Sequence, residues 1–143
     1  MQIVITGQTP SKKNSKQIYR NRKTGTPFIA SSDIAKSWEQ AALMQLKQYK
    51  YRFRSRIQID YMFYVEDDTQ RDLDNMITSV NDVLQEANRA YTLQRGAMKP
   101  LKGSGILKGD HWQLLRIGSA DAAIDRSNPR AVMTVTEIPD VVK

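Results

Sequence analysis

The chain has 143 residues, with 22 Lys and Arg against 15 Asp and Glu, and a formal net charge of +7. That length gives one domain able to bury a real core, and that charge favours a polyanionic partner, nucleic acid or an acidic membrane surface. The absence of cysteine excludes disulfides and thiolate metal sites, and a single histidine, His111, excludes multi-histidine zinc sites. No apolar run approaches membrane-spanning length, and Met1-Gln2-Ile3-Val4-Ile5 lacks the form of a signal peptide, so the expectation is a cytoplasmic protein with no membrane partner.

Residues 2–6 read as a short strand stopped by Gly7 and Pro10. A polar segment follows to about Pro27, holding Lys12, Lys13, Lys16, Arg20, Arg22 and Lys23 with no acid among them. Cations so grouped repel one another unless an anion lies against them, which favours phosphate contact over a merely solvated loop. Gly25 and Pro27 mark a hairpin-like turn, with short strands expected at 18–20 and 28–30. Ser31 or Ser32 can cap a helix over 33–49, whose Ile34, Trp38, Ala41, Ala42 and Leu46 follow the spacing of one buried stripe. Residues 47–56 interleave five cations with Tyr49, Tyr51 and Phe53, a mixture that suits nucleic acid and equally a helix end with aromatics turned inward.

From Ile57 to Val65 apolar and polar residues alternate, the mark of a half-buried strand. Next comes the densest acid of a basic chain: Glu66, Asp67, Asp68, Asp72, Asp74 and Asp82. Residues two apart face opposite ways in a helix but share a side in an extended segment. Asp72 and Asp74 can therefore converge if Asp72 is still extended as the helix begins. Paired carboxylates suit a hard cation such as Mg²⁺, which keeps waters for a phosphate to displace. The plainer reading makes Asp72 an N-cap and Asp74 a first-turn acid placed for the helix dipole. The helix is expected to run to about Ala90, burying Leu73, Met76, Ile77, Val80, Val83, Leu84 and Ala87. Asn75, Thr78, Asp82, Glu86 and Arg89 fall on its other face.

Residues 91–105 hold Gly96, Pro100, Gly103 and Gly105 beside Arg95, Lys99 and Lys102, which reads as a flexible basic loop. A strand is expected over 113–117, a polar turn over 121–128, and a last strand over 130–138. His111, beside Trp112, reads as structural rather than as an acid or base.

Four pieces in this order resemble the RusA family of Holliday junction resolvases, small endonucleases often encoded by phages. They are Pro10-Ser11-Lys12-Lys13-Asn14, Arg71-Asp72-Leu73-Asp74-Asn75, Asn81-Asp82-Val83-Leu84, and Gly105-Ile106-Leu107 leading to Asp110. Together they span most of the chain, and the Arg-Asp-Leu-Asp-Asn run is the specific one. The resemblance implies a single compact α+β domain over 1–143, a mixed sheet packed with two main helices. It further implies Asp72, Asp74 and Asp110 as catalytic metal-binding acids, Mg²⁺ or Mn²⁺ as cofactor, and a homodimer that nicks branched DNA in pairs. Asn75 and Asp82 would support the acids, and Lys12, Lys13, Asn14, Lys16, Arg20 and Arg71 would grip DNA.

The chain departs from that pattern at two places: Thr78 stands where the family commonly has a lysine, and Gly109 where it often has a second acid. Lys99, Lys102 or Lys108 could return the missing charge. The competing expectation is a junction-binding protein that keeps the fold and the basic surface without cutting. A third is a small basic structural protein whose acids only cap a helix, with Asp110 far from Asp72.

Overall fold

The strand that fixes the architecture is β4 (Ile57–Val65), whose Ile57, Ile59, Tyr61, Phe63 and Val65 are all buried while the residues between them are half-buried. The computed structural model describes residues 1–11, 16–31, 33–94 and 97–142, the side chains of 16–19, 27–31, 87–94 and 97–102 lying outside that description. The other elements are β1 (Gln2–Thr6), β2 (Lys16–Arg20), β3 (Pro27–Ser31), α1 (Asp33–Leu46), α2 (Leu73–Leu84), β5 (Ala87–Gln94), β6 (Ala97–Lys102), β7 (Leu115–Ile124) and β8 (Arg130–Glu137). The result is a single compact α+β domain with a mixed sheet and two main helices, as expected.

The main sheet has the order β1-β8-β4-β7, antiparallel except for the parallel β4–β7 pair. Register explains the core. Ile3 lies opposite Met133, which lies opposite Tyr61; Ile5, Ala131 and Phe63 form the next row. Because side chains alternate, these rows share one face. All six residues are buried, and they pack with Trp38, Ala42 and Leu46 of α1 and Met76, Val80 and Leu84 of α2. The opposite face carries Gln58, Asp60, Thr134 and Thr136 and is partly open.

The two edges of this sheet differ. On β1 the outward Val4 N–H donates to the Tyr49 hydroxyl at 3.0 Å and the Thr6 N–H to Gln45 Oε1 at 2.7 Å, so side chains of α1 and its C-terminal turn close that edge. On β7 the outer edge has no strand partner among the described residues, and Ile117 and Ile124 are about half exposed. The β4–β7 register shifts between Ile59 and Tyr61, where Gly118 and Ser119 together face Asp60. Ser119 Oγ donates to Asp60 Oδ1 at 3.0 Å, and a Cβ at Gly118 would overlap that same carboxylate. A side chain here would push the Asp60 carboxylate and the Gln58 amide aside.

Several expectations need correction. Helix α2 stops at Leu84, not near Ala90, since Gln85 is already extended (ψ 167°). The carbonyls of its last turn are taken by a returning segment: Ser104 N–H donates to Val83 O at 2.8 Å and Leu107 N–H to Leu84 O at 2.9 Å. The expected loop 91–105 is largely the antiparallel ribbon β5–β6, with Tyr91 opposite Pro100. The expected turn over 121–128 begins later, because β7 runs to Ile124 under parallel pairing with β4. Helix α1 ends at Leu46, and its buried stripe is Ala35, Trp38, Glu39, Ala42 and Leu46; Ile34 is 76% exposed and Ala41 is exposed. Among residues 47–56 Phe53 is buried and Tyr49 seals the β1 edge, so these two aromatics serve the core. Tyr51 is exposed and donates to Glu137 at 2.7 Å, which holds its phenol above the usual range.

Candidate functional site

The acids gather where β4 hands over to α2. Arg71, mostly buried, ties down the connecting loop: its guanidinium lies 2.9 Å from Asp67 Oδ1 and 3.6 Å from Glu66 Oε1, and donates to the Thr69 carbonyl at 3.2 Å. Hydrogen bonds from Thr69 and then the Arg71 guanidinium hold the Asp67 carboxyl below its ordinary range. Arg71 was expected to grip DNA; here its charge is engaged by its own loop.

Asp72 is the N-cap of α2 with extended backbone (φ −71°, ψ 122°), and its side chain makes no capping bond. The plainer reading of Asp72, a cap satisfied by the helix, is therefore met only in the backbone. Its carboxylate instead accepts from Asn75 Nδ2 at 3.0 Å. Asp74 Oδ1 accepts from the Asn75 backbone N–H at 3.0 Å. One residue thus donates to both carboxylates, side chain to one and main chain to the other. Both acids are exposed and Asn75 is half-buried, so Asn75 orients a solvent-facing carboxylate pair. Thr78 is exposed and bonds back to the Asp74 carbonyl at 3.0 Å, one turn further along the same side of the helix.

Asp110, the third expected acid, follows a segment fastened at the C-terminal end of α2 through the Leu107–Leu84 bond, and Leu107 also bridges Phe53 and Gln85. Asp110 is half-buried, and its charge is felt at the Tyr61 hydroxyl. That hydroxyl donates to Asn81 Oδ1 at 2.6 Å. Burial first, and the Asp110 charge after the opposing Asn81 bond, push the Tyr61 phenol far above its ordinary pKa, so it stays a neutral donor. Asn81 is seven residues beyond Asp74, roughly 10 Å along the axis.

The expected Mg²⁺ or Mn²⁺ centre is overturned: among the described residues no three His, Cys, Asp or Glu side chains gather in a way that could hold a metal ion. Asp72 and Asp74 sit at the first turn of α2, while Leu107, three residues before Asp110, is bonded to Leu84 in its last. Asp82 does not join the pair either; it is half-buried and accepts from Gln85 Nε2 at 3.3 Å.

Of the expected DNA-gripping residues, Lys12, Lys13 and Asn14 lie outside the described residues, as does the side chain of Lys16; Arg20 is exposed. Lys108 is exposed, and the side chains of Lys99 and Lys102 lie outside the description. His111 and Trp112 are both exposed, so neither belongs to the core. Sequence reasoning missed the buried polar residues Ser79 and Asn81 on α2. Ser79 Oγ donates to the Pro10 carbonyl at 2.7 Å, pinning the segment after β1 onto α2. A clue was present, since both interrupt the polar face at positions that also fit the apolar stripe.

No family model matches the chain, and no curated protein matches it. No helix among the described residues is long and apolar enough to cross a membrane.

Proposed function

We propose that the chain is a RusA-like, structure-selective DNA endonuclease that acts on four-way junctions in recombination and repair. The observation that carries this reading is Asn75 holding the Asp72 and Asp74 carboxylates at an exposed strand-to-helix junction of a protein with net charge +7. Exposed carboxylates on a polycation are repelled by the phosphates that its cations attract, so their place there needs a chemical reason. Oriented carboxylates can bind an attacking water and take its proton as the water adds to phosphorus, while the P–O bond opposite breaks and its oxygen leaves with a proton from solvent. Asn75 would fix their direction, and Lys12, Lys13, Asn14, Lys16 and Arg20 would hold backbone phosphates. The role of Asp110 rests on the resemblance alone. Paired nicks across a junction need two sites related by a two-fold axis, hence a homodimer. The open β7 edge supports such pairing.

A second reading, a junction-binding protein that does not cut, is favoured by Thr78, whose neutral hydroxyl bonds back to the Asp74 carbonyl at 3.0 Å where the family commonly has a lysine. One experiment distinguishes them. A synthetic four-way junction and a linear duplex of the same sequence are incubated with wild type and with Asp74→Asn in buffer of physiological ionic composition. Paired junction nicks, absent in Asp74→Asn, are the expected result. Tight junction binding with no cleavage would leave the binder, and no preference for the junction would end both readings.

A further inference from the structure

Residues 107–114 form a loop whose two ends are tied to one short stretch of chain. At its start Leu107 bridges Phe53, and the Phe53 N–H donates to the Ile106 carbonyl at 2.8 Å. At its end the Ile57 N–H donates to the Leu114 carbonyl at 2.9 Å. The tip is closed too, since the Leu114 and Leu115 amides both donate to the His111 carbonyl at 2.9 Å. Trp112 stands on that turn and is 66% exposed. A large aromatic ring held out in water forgoes the burial that normally accompanies it.

The stretch to which the loop is tied is basic. Arg52, Arg54 and Arg56 alternate with the buried Phe53 and Ile57, and the exposed Lys108 lines one small cleft with Ser55 and Leu114. Arg54 is paired with Glu86 at 3.1 Å. The other cations have no acid. Arg52 donates only to the Tyr49 and Tyr51 carbonyls, at 2.8 and 3.3 Å, and neither Arg56 nor Lys108 has an ion pair among the described residues. All 15 Asp and Glu of the chain have described side chains, so no further side-chain carboxylate is left to pair with them. Asp110, inside the loop, is half-buried and its charge is felt at the buried Tyr61 hydroxyl, while Glu137 is engaged by Tyr51.

Chemistry narrows the partner. Membrane binding needs an apolar face, and the exposed residues beside Trp112 in the loop are Lys108, His111 and Gln113. A protein interface needs an apolar centre, which one indole does not make. A nucleic-acid strand offers both things this surface can receive, phosphates for the cations and a flat base for the indole. We propose that this surface binds a single nucleic-acid strand, with Arg52, Arg56 and Lys108 receiving phosphates and Trp112 stacking on an unpaired base. It calls for a strand rather than a branch, and so goes beyond the junction reading.

The test titrates wild type with oligothymidylate, with an abasic oligomer of equal length and with phosphatidylglycerol vesicles, following tryptophan emission. The other tryptophan, Trp38, is buried, so Trp112→Phe supplies the background. Oligothymidylate should quench wild type and leave the emission of Trp112→Phe unchanged. By anisotropy of a labelled strand, Trp112→Ala should weaken oligothymidylate binding about 5–100-fold, the range for one base stacked on an aromatic ring, and leave the abasic oligomer unaffected. Lys108→Gln and Arg56→Gln should weaken both oligomers alike, each lowering the slope of log affinity on log salt by about 0.7. Trp112 and Lys108 are exposed, so their variants keep the fold. Undiminished oligothymidylate binding by Trp112→Ala, no strand binding by wild type, or quenching by vesicles alone would overturn the proposal. Junction cleavage by a protein whose Trp112 ignores oligothymidylate would keep the junction reading and remove this site. Quenching by oligothymidylate with no preference for junction over duplex would do the reverse.

Discussion

Replacing Tyr61 by Phe tests whether the hydroxyl between β4 and α2 matters as its geometry implies. The ring is 2% exposed and stacks nearly parallel to Phe63, with centroids 6.1 Å apart. Phenylalanine keeps that packing, so no large cavity forms. What is lost is the 2.6 Å bond to Asn81 Oδ1, and Asn81 is itself 6% exposed. A net hydrogen bond contributes about 1 kcal/mol, and leaving a buried acceptor unpaired costs about 1–3 kcal/mol. The expected loss is therefore about 2 kcal/mol. At about 4 °C per kcal/mol for a domain near this size, the midpoint should fall by roughly 8 °C. Thermal unfolding of wild type, Tyr61→Phe, Asn81→Ala and the double variant completes a cycle whose coupling should exceed about 0.5 kcal/mol. A Tyr61→Phe protein within about 0.3 kcal/mol of wild type, or strictly additive variants, would refute the claim that this bond joins strand to helix.

Gly103 approaches the Gln85 carbonyl so closely that a Cβ would overlap it. Gly103→Ala should cost more than about 2 kcal/mol in denaturant unfolding, because backbone has to move. Ile117→Lys with Ile124→Lys places charge on the open edge of β7, and the expected result is a dimer turned monomer by light scattering. A wild-type monomer, or an unchanged mass, would remove β7 as the seam. Asp125 accepts from Arg130 at 2.8 Å and from Ser127 at 3.0 Å, which hold its carboxyl below the ordinary range. A depressed folded-state pKa gives stability that is present above the unfolded value, near 4, and is lost as pH falls through the folded one. Asp125→Asn should thus lower the unfolding midpoint at pH 7 and narrow its difference from wild type at pH 2–3.

Much of the frame was legible because it is built from strong local signals. The alternation of Ile57 to Val65 fixes a strand with one buried face whatever else the chain does, and β1 and β8 follow from the same rule. Helix α2 shows its start in Asp72 and its stripe in Met76, Val80 and Val83. Its end was not legible, since Ala87 prolongs the apolar period while the stop comes from pairing with residues 104–107, a contact made twenty residues away. Strand β7 was cut short because Gly118-Ser119-Ala120-Asp121 carries no strand preference; the hydrogen bonds of β4 impose it. In the site, the pairing of Asp72 with Asp74 through Asn75 is local and could be anticipated. The segment before Asp110 is fastened to the end of α2 by a tertiary contact, which spacing in sequence does not encode.

If copies of the chain join through the main sheet, its unequal edges limit how many can do so. Tyr49 and Gln45 take the Val4 and Thr6 amides of β1, and among the described residues the outer edge of β7 is left without a strand partner. Two copies meeting edge to edge about a two-fold axis use that edge in both partners, and growth terminates. A sheet open at both ends has no such stopping rule. Loss of Tyr49 or Gln45 would therefore show itself first as chains of molecules rather than as a change in chemistry.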